Sequence, residues 1–146
     1  MNVSDIMTTG VFKISMDDTV RKVRQLFARK KFHHLLVVEN LKLIGVISDR
    51  DLLKNLSPFI EKMAERPQDL ATLDRRVHQI MTRKPVTVSS QMAIKTAAKI
   101  MLDHNVSCLP VVDEDGQPVG ILTWRDMLRG LCNLQKKKRD DDRMVS

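Results

Sequence analysis

Two short stretches carry residue types suited to a bound anion. Ser48-x-x-Asp51 and Thr123-x-x-Asp126 each follow an apolar, β-rich run and open a helical one. A hydroxyl at such a cap, beside backbone N–H groups the helix does not use, makes a seat for phosphate at the positive end of the helix dipole. An aspartate three residues on stands one turn into the helix. As an acceptor-only group it can take both hydroxyls of a vicinal diol such as that of ribose. Gly45 and Gly120, lacking Cβ, permit close backbone approach just upstream. The same spacing also describes a capping box, which orders a helix start with no ligand at all, and on spacing alone that is the commoner meaning. Arg50 and Arg125 each either pair with phosphate bidentately or lie on the solvent side of a helix.

Other chemistry is less well supported. His33 and His34 are neighbours on an extended run, so their side chains point to opposite faces and do not chelate one ion together. Adding Cys108 does not create a ligand set of structural-zinc spacing. Nothing in the sequence activates Cys108 as a nucleophile, and it reads as a small buried hydrophobe. The nine methionines, Met7, Met16, Met81 and Met92 among them, read as core filler.

The elements that must position these residues are written twice. Asp5-Ile6-Met7-Thr8 recurs as Gln79-Ile80-Met81-Thr82 at a shift of 74, and Leu35-Leu36-Val37-Val38 recurs as Leu109-Pro110-Val111-Val112 at the same shift. Beyond a turn the shift becomes 75, where Gly45-Val46-Ile47-Ser48 meets Gly120-Ile121-Leu122-Thr123. The additional residue falls in the turn, where insertions are tolerated.

Each copy predicts the same order. An extended segment (11–14; 86–88) leads to an amphipathic helix striped by Val20, Val23 and Phe27 in one copy and by Ile94, Ala97, Ala98 and Met101 in the other. Asp17 and Asp18 are placed to cap the first of these helices. Two β-rich runs across a tight turn follow (35–38 with 43–47; 109–112 with 119–122), then a helix (50–56; 125–131). The fold class is α+β, two β-α-β-β-α repeats over 1–56 and 77–132. A linker over 57–76 has a helical turn or two expected at 59–64, and a charged tail, read as disordered, covers 133–146. A repeat this small makes a marginal core alone, so the copies are expected to pack as a pseudo-twofold pair.

This pattern resembles a tandem pair of cystathionine-β-synthase (CBS) domains, a Bateman module. The resemblance is carried by Ile6-Met7-Thr8 with Ile80-Met81-Thr82, by Leu109-Pro110-Val111-Val112-Asp113, and by the two Gly-x-x-[Ser/Thr]-x-x-Asp stretches. It implies a non-enzymatic regulatory module that binds AMP, ADP, ATP or a related adenosyl ligand in clefts between the copies. It also implies a homodimer and a separate effector protein. Carried over residue by residue, the first cleft joins Ser48, Asp51 and His34, the last as a basic phosphate contact, to Lys84, Ser89, Val106, Ser107 and Cys108. The second joins Thr123 and Asp126 to Gly10, Ser15, Phe32, His33 and His34. The second set is bulkier, so the first cleft is the preferred one, although Asp49 beside it would repel phosphate if turned inward.

Composition fits this reading. The 146 residues carry 25 Lys+Arg against 18 Asp+Glu, a net charge of +7, and only 3% aromatics. So few rings argue against a stacking platform for single-stranded nucleic acid. The basic run at 21–31 and the tail at 136–143 read as solvated faces rather than a polyanion footprint, since no recognition-helix motif accompanies them. Two cysteines make no disulfide framework, no apolar run spans a membrane, and the N-terminus has no secretion signal. A cytoplasmic protein is expected.

Overall fold

The computed structural model describes residues 1–30, 32–60 and 62–132. The charged tail at 133–146, together with Lys31 of the basic run, lies outside them. In chain order the first half contains α1 (Val3–Ile6), β1 (Lys13–Ile14), α2 (Val20–Arg29), β2 (His34–Glu39), β3 (Lys42–Ser48), α3 (Asp49–Asn55) and α4 (Pro67–Ala71). A 3-10 turn, Thr72–Asp74, follows. The second half contains α5 (Val77–Ile80), β4 (Thr82–Arg83), α6 (Ile94–Asp103), β5 (Cys108–Val112), β6 (Pro118–Thr123) and α7 (Trp124–Leu131). The class is mixed α+β, as expected, and both hairpins and all four longer helices stand where the periodicity puts them.

Two compact units result, and neither is one contiguous repeat. One comprises the described residues of Lys13–Asn40 and Ile44–Lys84; the other comprises Met1–Phe12, Leu41–Leu43 and the described residues from Pro85 onward. The lead segment of each repeat therefore belongs to the body of the other.

The unit holding the first repeat's helices is built on a four-stranded sheet in the order β1-β2-β3-β4. β1 runs parallel to β2, with Ile14 opposite Val37. β4, supplied by the second repeat, runs antiparallel to β3, with Val46 opposite Thr82. Val77 N–H donates to Asp18 O at 2.8 Å and His78 N–H to Met16 O at 3.0 Å, which fixes α5 on this unit. Its core joins Ile14, Val23, Leu35, Val37 and Ile47 to Val77 and Ile80.

Unit by unit, the second body repeats this plan. β5 and β6 form its antiparallel ladder. Val88 bridges Val111 in parallel on one edge, and Thr8 bridges Ile121 in antiparallel on the other. Val3 N–H donates to Met92 O at 2.9 Å and Ser4 N–H to Ser90 O at 2.8 Å, the same pair of bonds one repeat away. Its core joins Val88, Ala97, Leu109, Val111 and Leu122 to Val3 and Ile6. Met7, Met16, Met81 and Met92 pack against the two cores, in line with their reading as filler.

Close approach explains two glycines. A Cβ on Gly45 would stand 3.0 Å from Thr82 O, and one on Gly120 would stand 2.9 Å from Thr8 O. Each glycine thus admits the lead segment that its strand pairs with.

Two expectations need correction. The cap of α2 is Thr19, whose side chain accepts from Lys22 N–H, and not Asp17 or Asp18. Asp18 instead accepts from Ser15 N–H at 2.8 Å and closes the preceding turn. In the linker the helix is α4, at Pro67–Ala71, whereas the described residues of 59–64 make only isolated turns. Pro67 stands at the first helical position, where its missing N–H costs nothing. Asp69, 4% exposed, completes the start of that helix by accepting from Arg66 N–H, from the Arg66 guanidinium and from Ser57 Oγ. These bonds, that of the Arg66 side chain foremost, hold its carboxyl below the ordinary carboxylate range.

Candidate functional site

The two Ser/Thr-x-x-Asp stretches occupy equivalent places, each running from the end of a sheet strand into the first turn of a helix. Ser48 is the N-cap of α3; its Oγ accepts from Asp51 N–H at 3.0 Å, while Asp51 Oδ2 accepts from Ser48 N–H at 2.9 Å. Thr123 is the N-cap of α7, with Asp126 N–H to Thr123 Oγ1 at 3.3 Å and Thr123 N–H to Asp126 Oδ2 at 2.9 Å. Both are thus full capping boxes. That does not decide against a ligand, because a carboxylate has about four acceptor sites and the box uses few of them.

The carboxylates differ in what remains. Asp126 is 1% exposed and its Oδ1 accepts from Thr8 Oγ1 at 3.0 Å. Asp51 is half-buried, and its Oδ1 takes no hydrogen bond from a described residue.

Around Ser48 the same unit gathers His33, His34, Asp49 and Arg50. Asp49 N–H donates to His33 O at 2.9 Å, and the Asp49 carboxylate meets His33 Nδ1 at 2.8 Å. Asp49 is therefore tied to the strand start by two bonds. His34 is half-buried, and burial holds its imidazole below the ordinary value, opposed by the charge of Asp49. At neutral pH it is a neutral hydrogen-bonding ring more than a cation. Arg50 is exposed and forms no ion pair with a described residue.

Phe32 packs its ring on Phe27, centroids 5.6 Å apart, against that unit's core. Ser15 is exposed and its Oγ accepts from Asp17 N–H at 3.2 Å, in the turn before α2. Lys84 is exposed with φ 48, left-handed backbone at the position that Gly10, φ 65, fills in the other copy. That a lysine adopts this conformation before Pro85 marks a tightly determined turn.

The other unit gathers Thr123, Asp126, Ser107 and Cys108. Cys108 stands opposite Thr123 in the β5–β6 ladder, and Trp124 N–H donates to Ser107 O at 3.3 Å. Val106 packs against that unit's core, while Ser89, Gly10 and Arg125 are exposed. Each unit by itself thus joins one hydroxyl–carboxylate pair to the segment entering its own central hairpin. The sequence reading missed Thr8 as the partner of Asp126 and His33 as the partner of Asp49; the repeated Ile-Met-Thr was the available signal for the first. Among the described residues no group of three or more His, Cys, Asp or Glu could hold a metal ion.

The CBS domain model matches residues 3–58 and again 77–133. This chain belongs to the CBS domain family. It carries two copies and is similar over most of its length to other CBS pairs. A CBS domain-containing protein of Dictyostelium discoideum is 35% identical over 128 residues, covering 86% of this chain and 88% of that one. A protein of Methanocaldococcus jannaschii is 33% identical over 129 residues, and there the chain spans only 39% of the relative's length. Among solved structures, the CBS-pair protein CBSX2 of Arabidopsis thaliana in complex with AMP superposes with a TM-score of 0.76 at 31% identity, covering 91% of this chain and 97% of that one. The CBS domain pair of protein MJ0100, in complex with 5′-methylthioadenosine and S-adenosyl-L-methionine, gives 0.74 at 25% identity, covering 90% and 99%.

Proposed function

We propose that this chain is a non-enzymatic regulatory module that binds an adenine nucleotide (AMP, ADP or ATP) or a related adenosyl ligand, working as a homodimer on a separate effector protein in the cytoplasm. The observation that carries the reading is the repeated strand-end hydroxyl–carboxylate pair inside two CBS repeats, with Asp51 keeping one carboxylate oxygen for a ribose. Ser48 and the first turn of α3 face the phosphate, and Asp51 takes the sugar hydroxyls. His34, Lys84, Ser89, Val106, Ser107 and Cys108 complete the set that the family resemblance groups with them. AMP-bound and S-adenosylmethionine-bound relatives of similar fold support this class of ligand. Regulation requires that the ligand bind two conformations of the module unequally, since equal affinity shifts nothing.

Thermal melting with and without ligand tests the reading. At a hundredfold excess over Kd the linkage gain is about 2.7 kcal/mol, a shift of several degrees. Unchanged melting with millimolar AMP, ADP, ATP and S-adenosylmethionine alike would overturn it.

A second reading, a ligand-independent association module, is favoured by Trp124, Leu128 and Leu131. They are 59%, 52% and 79% exposed and recur along one face of α7. A dimer whose sedimentation is indifferent to nucleotide, in a chain that binds none, would select it.

A further inference from the structure

The two repeats part company where each aspartate meets an Ile-Met-Thr segment. Thr8 is held in antiparallel register with Ile121 by N–H···O bonds of 2.8 and 2.9 Å, and its hydroxyl reaches Asp126 Oδ1 at 3.0 Å. Asp126 Oδ2 meanwhile accepts from Thr123 N–H at 2.9 Å and from Thr123 Oγ1 at 3.1 Å. Both oxygens are engaged inside the unit, three of about four acceptor sites being taken, and the residue is 1% exposed. In the other unit Thr82 pairs with Val46 in the equivalent register, so the backbone is placed alike. Yet Thr82 is exposed and its hydroxyl makes no hydrogen bond with a described residue, leaving Asp51 Oδ1 to a ligand. With backbones placed alike, the units differ in whether the threonine hydroxyl reaches the aspartate and in the bond from Thr123 Oγ1 to Asp126, which Ser48 and Asp51 do not repeat.

We propose that Thr8 determines occupancy: by donating to Asp126 it withdraws the second carboxylate from ribose recognition, so each chain takes a single nucleotide, at Asp51. This rests on the nucleotide-binding reading above. It also assigns the Ile-Met-Thr segment of the first repeat a role that its counterpart in the second repeat does not share.

Calorimetric titration with AMP tests it. The wild-type chain is expected to bind one AMP, and Asp51→Asn to bind none. Thr8→Val, which keeps the side-chain shape and removes the hydroxyl, should raise the stoichiometry to two, and Thr8→Ser should restore one. Two AMP bound by the wild type would overturn the proposal while leaving the functional reading intact, and so would one AMP bound by a folded Thr8→Val chain. No AMP bound by the wild type would overturn the proposal, and the functional reading would then be decided by the melting test with ADP, ATP and S-adenosylmethionine. If Thr8→Val does not fold, the wild-type and Asp51→Asn titrations decide alone, since retained binding in Asp51→Asn places AMP elsewhere.

Discussion

Asp51 and Asp126 are the same residue at the same helical position, and their surroundings give them different work. Removing Asp126 takes away an acceptor from the Thr8 hydroxyl and from the Thr123 N–H, both half-buried. Asp126→Ala should therefore destabilise by about 1–3 kcal/mol, read as a lower denaturant midpoint. Asp51→Ala should cost about 1 kcal/mol, the usual loss of a cap partner, and weaken AMP binding more than Asp126→Ala does. Calorimetry with the opposite order of affinities would remove the preference for Asp51. Asp69 supplies a pH signature of its own. Its folded pKa lies below the unfolded value, so its stabilisation is complete above the unfolded value and is lost as pH falls through the folded one. An Asp69→Asn chain should show a shallower loss of stability on acidification than the wild type, measured by urea melts at stepped pH.

Among elements, the lead segments α1 and α5 repeat conspicuously in sequence but give no sign there of being helices, and their packing is the most consequential. Each is four residues long, too short for a periodicity to register, and each supplies two buried side chains to the body of the other repeat. The cost of disturbing one should therefore fall on the distant repeat. Gly120→Ala pushes a Cβ against Thr8 O, and overpacking of this kind costs about 1–3 kcal/mol. Hydrogen exchange in that variant should quicken at α1, α6 and β5 before it quickens at β1 and β2. Uniform quickening across both units would show that the lead segment is not the local weak point. The linker helix α4 is not legible in the sequence, which places a helical turn or two at 59–64 instead. Its start combines a local Arg66–Asp69 pairing with a bond from Ser57, twelve residues before Asp69 and beyond the few residues that a cap signal spans.

For the molecule as a whole, the +7 charge is the feature most open to another meaning. On α2, Arg21 meets Asp74 at 3.4 Å and Lys22 meets Asp18 at 3.2 Å, so part of the basic run is neutralised locally. Binding to duplex DNA should accordingly be weak and fall steeply between 50 and 200 mM salt, whereas a nucleotide effect on melting should survive that change. Filter binding and melting at the two salt concentrations separate these outcomes. Strong, salt-tolerant DNA binding would contradict the solvated-face reading.

How much of this was written in the chain follows from range. Periodicity and turns act within a few residues, so the amino-acid sequence alone determined the four longer helices, the two hairpins, their duplication and the two hydroxyl–carboxylate pairs. The family itself was legible for the same reason, since its motifs are local and occur twice. Only tertiary structure decided which body each Ile-Met-Thr segment joins and which aspartate keeps an oxygen to spare. Those outcomes hang on contacts between residues 118 positions apart, such as Thr8 and Asp126, where a hydroxyl's orientation is set by the packing around it and not by its neighbours in the chain.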